Sequence, residues 1–295
     1  METLYKVADT SRQAFHYWLR PSIKQQTRVA GKLVVEMAKQ VREKFLPGSS
    51  AREIYFYIRK KHELYNSLLL GWGKHSFEAI CLANGLRVVT KRFVPKTTIH
   101  GDFTFPNRIE GLEINNINQI WASDICYLFG SNGILVGYAT SLIDLYSRRL
   151  LGLSFSKSMH AEVTSKDVLR QAFEVRKMEE FSNLFFHSDG GRQYIETAFL
   201  AALRKKNIQS SMAKSCYENA FAEAFNDILK NHILFDLDVN SFHQLKSYEK
   251  FIKHCYNFNR VHNGIQKKTP VEYEQLISSL NQSDRNKMKI KVISQ

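Results

Sequence analysis

The chain has 295 residues, 44% hydrophobic and 12% aromatic, the composition of a folded protein and not of a disordered one. It has no apolar run long enough for a bilayer helix, its polar first 19 residues are not expected to be a secretory leader, and four cysteines without a CxxC pair argue against a zinc site or disulfide framework and fit a reducing cytosol. Lys and Arg outnumber Asp and Glu by 42 to 28, and residues 1–100 hold 18 basic against 7 acidic side chains, +11 of the total +14. A basic arm ahead of a near-neutral remainder suits binding to a phosphate backbone, where each neutralised phosphate releases counterions. Surface lysines kept for solubility are the plain alternative.

The first third reads as helices. Residues 6–19 form a helical hairpin in which Thr10 or Ser11 caps the second helix, and its exposed start, Arg12, Gln13 and His16, would reach base edges if the hairpin is a helix-turn-helix. A longer amphipathic helix over 23–45 stops at Pro47 and Gly48, and Ser50 and Glu53 stand in capping-box register for the next. One more short helix lies within 71–86, and 87–101 is a basic extended linker. From residue 118 the texture changes: strands over 119–129, 134–145 and 149–155, a helix over 161–177, a strand over 183–187, a helix over 196–206, a strand over 208–212 and a long helix over 218–234. That order predicts a mixed five-stranded sheet with helices on its faces. The expected division is a DNA-binding helical region at 1–65, a basic helix and linker at 66–112, a catalytic core at 113–235 and a helical extension at 236–295.

Three carboxylates stand out. Asp124 lies mid-strand between apolar residues on both faces, so its strand is central and the carboxylate needs a cation, a hydrogen-bond donor or an opening to solvent. An arginine partner is the structural reading. Asp189 ends a strand ahead of Gly190 and Gly191, where α/β sheets place ligands, although an ordinary Asp-Gly turn looks the same. Glu223 sits on the last long helix, off the apolar stripe of Phe221, Ala224, Phe225, Ile228 and Leu229. Glu218, Asp227 and Asp144 compete with it, and periodicity does not choose among them. Two carboxylates from neighbouring strands and a third from a helix would suit two magnesium ions engaged in phosphoryl transfer.

Residues 121–127 (WASDICY), 142–148 (LIDLYSR), 187–194 (HSDGGRQY), Ser211 and Met212 with 216–220 (CYENA), and 222–225 (AEAF) resemble the integrase core of the IS3-family insertion-sequence transposases. Tyr256, Asn257, Arg260, His262, Thr269 and Pro270 resemble that family's closing motif. Gly73, Lys74, Phe77, 84–86 (NGL), 96–98 (KTT), His100, Pro106 and Asn107 are similar to the region ahead of its core. The resemblance implies a ribonuclease-H-like fold and a DDE triad of Asp124, Asp189 and Glu223 that binds two magnesium or manganese ions. It also implies the chemistry: hydrolysis that frees a 3′-hydroxyl, then attack of that hydroxyl on target DNA. The helix glutamate in the AEAF context is the one that matches, which favours Glu223 over Glu218.

Two departures go with the resemblance. Asp189 and Glu223 are separated by 33 residues, two fewer than is usual, and the shortening maps to the turn at 213–216, which a loop can absorb. The second aspartate is followed by Gly-Gly instead of Arg-Gly or Gln-Gly, a change expected to alter a DNA contact. Arg192 and Lys214 flank the motif loops and are the candidate backbone contacts. His187, Arg260 and His262 are equally open to packing or phosphate roles. The family resemblance further implies double-stranded DNA as partner at element ends and target, a homo-oligomer on DNA, an upstream helix-turn-helix protein joined by frameshifting, and a cytoplasmic, nucleoid-associated bacterial setting without a membrane. The competing readings are a catalytically inactive DNA-binding regulator and a structure-specific nuclease.

Overall fold

The computed structural model describes residues 21–69, 71–88, 105–130, 133–213 and 219–290. By internal contacts the chain divides into two units, one from residues up to Lys44 together with Ser50–Arg87, the other from Phe45–Ser49 together with the chain from Val88 onward.

The first unit is helical. α1 (Pro21–Phe45) begins ahead of the start expected at residue 23, and α2 (Ala51–Lys61) carries the capping box foreseen from sequence, with Ser50 Oγ accepting from the Glu53 amide and the Glu53 carboxylate accepting from the Ser50 amide. After α3 (Glu63–Leu68), α4 (Lys74–Ala83) packs on α2 through Tyr55 and Phe77, whose rings lie 5.5 Å apart. Arg52 on α2 pairs with Glu78 on α4. The hairpin expected at 6–19 lies outside the described residues, as do Arg12, Gln13 and His16.

The second unit is built on five strands: β1 (Ile120–Phe129), β2 (Leu135–Asp144), β3 (Leu150–Ser156), β4 (Phe185–Ser188) and β5 (Gln209–Met212). Each falls within a residue or two of its sequence-based range. Their order across the sheet is β3-β2-β1-β4-β5, with β1–β2 and β2–β3 antiparallel and β1–β4 and β4–β5 parallel. This is the ribonuclease-H-like arrangement. β1 is the central strand, as its two apolar faces required.

Helices cover both faces. On one, α5 (Ser165–Arg176) and α6 (Thr197–Lys205) bury Trp121, Leu142, Leu151 and Phe186. On the other, Cys126, Leu128 and Ala139 pack beneath α7 (Ala220–Asp227), which continues through a π-helical turn (Ile228–Ile233) into α8 (Leu234–Asp236). The same face receives α9 (Phe242–Ser247), α10 (Glu249–His254) and α11 (Pro270–Ser279). No helix among the described residues is long and apolar enough to cross a membrane.

Candidate active site

The chain leaves β1 in one direction to build β2 and β3, and later builds β4 and β5 on the other side. The sheet order therefore reverses between β1 and β4. In open α/β sheets, the crevice beyond the carboxyl ends of strands at such a reversal is where ligands bind. The parallel ladder here is short: Ile120, Trp121 and Ala122 pair with Phe185, Phe186 and His187, and there it stops, although β1 runs on to Phe129. Asp124 follows the last paired residue of β1 by two positions. Asp189 follows the end of β4 by one. The two carboxylates flank the place where the ladder ends.

Asp124 is half-buried; it accepts from the Ile125 backbone and from Asn226, whose Nδ2 donates to Oδ2 at 2.7 Å. Burial, then the neighbouring charge of Asp189, then that of Glu223 push its carboxyl up to about 7. Asp189 accepts from the Gly191 amide at 3.1 Å, an Asx turn that shapes the loop. A Cβ on Gly191 would come within 3.0 Å of Asp189 Oδ1, so the second glycine leaves that oxygen room.

Glu223 is exposed on the first turn of α7, and burial raises its carboxyl while Lys230 opposes the rise. Its direction follows from its neighbours. Asn219 and Asn226 lie four residues before and three after it, on the same helical face. Asn219 Nδ2 donates to the Ser123 carbonyl at 3.0 Å, and Asn226 donates to Asp124. The face that carries Glu223 is thus tied at both ends to the strand carrying Asp124.

This corrects the helix phase expected from sequence. The inward residues are Ala222, Phe225, Asn226, Leu229 and Ile233, whereas Ala224 is exposed and Phe221 and Ile228 are half-buried. An apolar count skips the buried Asn226, and the π-helical turn from Ile228 shifts the phase further.

The competing carboxylates fall away for local reasons. Asp144 accepts from the amides of Asn118, Tyr146 and Ser147 and pairs with Arg176 at 3.0 Å, so its oxygens are committed to structure. Asp227 is exposed and accepts from Asn231. Glu218 lies outside the described residues, with Lys214 and most of the shortened turn. Arg192 is exposed in the 3-10 turn (Arg192–Tyr194) that follows Asp189.

His187 is buried, its Nδ1 3.0 Å from Ser211 Oγ on the adjacent strand. The closing motif has structural work. Asn257 pairs with both the amide and the carbonyl of Leu150, Tyr256 packs edge-on to Phe225, and Thr269 with Glu272 forms the capping box of α11. His262 packs against Tyr256, and burial takes its pKa down to about 3, so the ring is neutral. Arg260 Nη1 donates to Ser49 Oγ at 3.3 Å.

Among the described residues no three His, Cys, Asp or Glu side chains close around a single point as a finished metal cage. Magnesium does not require one, since it is usually held by one or two carboxylates plus water and substrate phosphate. The donor set fits that pattern: hard oxygen ligands only, and a carboxyl raised first by burial and then by the negative charges of Asp189 and Glu223.

The integrase core domain family matches residues 115–216. The transposase for insertion sequence element IS904 of Lactococcus lactis subsp. lactis (strain IL1403) is 31% identical over 160 residues, which cover 53% of this chain and 61% of that protein. Transposase InsF for insertion sequence IS3A of Escherichia coli (strain K12) is 39% identical over 115 residues, 38% of each. The chain thus spans less than two thirds of the length of either relative. Among solved structures, the HTLV-2 integrase catalytic core domain in complex with magnesium (trimeric form) is 18% identical and covers 54% of this chain and 97% of its own, with a TM-score of 0.43. The simian T-cell lymphotropic virus intasome in complex with PP2A regulatory subunit B56 gamma is 16% identical and covers 83% and 81%, with a TM-score of 0.45. Over residues 115–216 the chain carries an integrase core domain, and it is similar to the transposases of insertion sequences IS904 and IS3A.

Proposed function

We propose that the chain is a DDE transposase that cuts DNA at insertion-sequence ends and joins the freed 3′-hydroxyl to target DNA. The observation that carries this reading is the convergence at the sheet's switch point: Asp124 and Asp189 flank the end of the β1–β4 ladder, and asparagines on either side of Glu223 bind its helix face to β1. Asp124 and Asp189 would hold one magnesium or manganese ion, and Glu223 would complete the site of a second. Such a pair, when bound, activates the attacking oxygen and neutralises charge on the leaving one. Asn226 keeps one Asp124 oxygen oriented.

The DNA itself would be held by the basic first third, with Arg12, Gln13 and His16 in a helix-turn-helix-like region over 1–65 and a basic linker over 66–112. Arg192 and Lys214 would contact backbone beside the core at 113–235, which the helical extension at 236–295 completes. A cytoplasmic, nucleoid-associated setting, a homo-oligomer on DNA and an upstream helix-turn-helix protein joined by frameshifting belong to the same proposal.

The test uses the full chain, any upstream partner and duplexes bearing the element ends, with magnesium or manganese. Asp124→Asn, Asp189→Asn and Glu223→Gln should each abolish strand cleavage and transfer while DNA binding and the thermal melt persist. Cleavage retained by any one variant removes that residue from the triad.

A further inference from the structure

Ser123 stands on the apolar face of β1, between Trp121 and Ile125, and is fully buried. A serine there needs a reason, since an apolar residue would cost less to bury. Its Oγ donates to the Ser141 carbonyl at 2.7 Å, which uses its only proton. The second contact, 2.9 Å to the Tyr194 hydroxyl, therefore has Tyr194 as donor. Tyr194 closes the 3-10 turn that begins three residues after Asp189, and its ring packs on Phe186 and Phe199. A phenylalanine would pack there equally well; what the hydroxyl adds is the link to Ser123. The carbonyl of the same serine, in the peptide that leads into Asp124, accepts from Asn219 at the start of the Glu223 helix.

One residue is thus bonded to the loop after Asp189 through its side chain and to the helix of Glu223 through its backbone, while its neighbour is Asp124. We propose that Ser123, Tyr194 and Asn219 form a positioning node that sets the spacing of the three elements carrying the metal-binding carboxylates. The node rests on the metal-centre reading given above. Its members touch neither metal nor DNA. They act by restricting where the three carboxylates sit, which matters because magnesium tolerates little departure from octahedral geometry.

The discriminating variant is the double substitution Ser123→Ala with Tyr194→Phe. Removing both hydroxyls leaves neither of them unsatisfied and withdraws one donor from the Ser141 carbonyl, a small cost to stability. Its thermal midpoint should stay within a few degrees of the wild type. Manganese affinity, measured on the full chain by loss of the free-ion EPR signal, should weaken about 10-fold, the effect usual for residues that orient metal ligands. In cleavage assays kcat should fall by a similar factor with KM for DNA unchanged. Ser123→Thr keeps the hydroxyl and should restore wild-type affinity, and Asn219→Ala supplies an independent route to the same loss.

Asp124→Asn is the control. If wild-type protein binds manganese, Asp124→Asn abolishes that binding and the double variant binds as the wild type does, the node is overturned and the metal centre stands. If wild-type protein binds none, or Asp124→Asn changes nothing, both fall.

Discussion

At the scale of single residues, the site sets two requirements of Asp124 against each other. Partial burial disfavours the charged carboxyl, and Asp189 and Glu223 add negative charge beside it, so without a cation its pKa is pushed up to about 7. In the unfolded chain the same group ionises near 3.8. The sign follows. Between those values the native state keeps a proton that the unfolded state has lost, so the stability of metal-free protein falls as pH rises from about 4 to about 7 and then levels off. Asparagine has no proton to lose, and its amide oxygen can accept the same bond from Asn226. Metal-free Asp124→Asn should therefore be more stable than the wild type at pH 8, by ~1–3 kcal/mol, and nearly equal to it at pH 4. Urea midpoints in EDTA at the two pH values decide the matter; parallel pH profiles for the two proteins would show that the carboxyl is not buried against its neighbours. Added magnesium or manganese should narrow the gap by stabilising the wild type alone.

At the scale of elements, β3 and α5 approach so closely that position 152 admits no side chain. A Cβ on Gly152 would lie 2.5 Å from the Val168 carbonyl oxygen and 2.7 Å from the Val168 Cβ, both fixed parts of the helix. Gly152→Ala should push α5 off the sheet and cost ~1–3 kcal/mol, the usual penalty for overpacking. An unchanged denaturation midpoint would mean that the helix yields without loss. How far such elements can be read from sequence depends on which signal each residue carries. β1 was legible as a central strand because apolar residues on both faces leave no solvent side. Asp189 was legible from its glycines. The orientation of α7 was not, because its inward face includes Asn226, which an apolar count passes over, and because a π-helical turn breaks the 3.6-residue period beyond Asp227. Ser123 and Tyr194 lie 71 positions apart, and nothing periodic connects a strand serine with a tyrosine after a distant turn. The family resemblance points to a triad; the contacts that surround those residues are carried by no motif.

At the scale of the whole second unit, the decisive feature is how the sheet's outer strand is finished. β3 lies at an edge, and an edge strand with open amides and carbonyls invites pairing with another chain. Here side chains occupy those groups. Asn257 bonds both polar groups of Leu150, and Lys253 donates to the Leu151 carbonyl at 2.6 Å. Gln171 bonds both groups of Leu153, and Glu249 accepts from the Phe155 amide at 2.9 Å. All of these but Gln171 come from the segment after α8. The same segment supplies Leu245, Ile252 and Tyr256 to the core under α7, and Glu274 on α11 pairs with Arg176, which also holds Asp144. The described part of the region set apart by sequence as an extension, 236–290, therefore closes the edge of the sheet and completes one face of its core. A chain ending at Asp236 should lose both together: it should collect in the insoluble fraction, and whatever stays soluble should lack a cooperative melt. Asn257→Ala in the full chain should fold and lose only ~1–3 kcal/mol, the cost of leaving two strand groups without partners. Sedimentation and thermal melts of the two proteins separate the outcomes, and a soluble, cooperatively folded monomer from the shortened chain would show that the sheet protects its own edge.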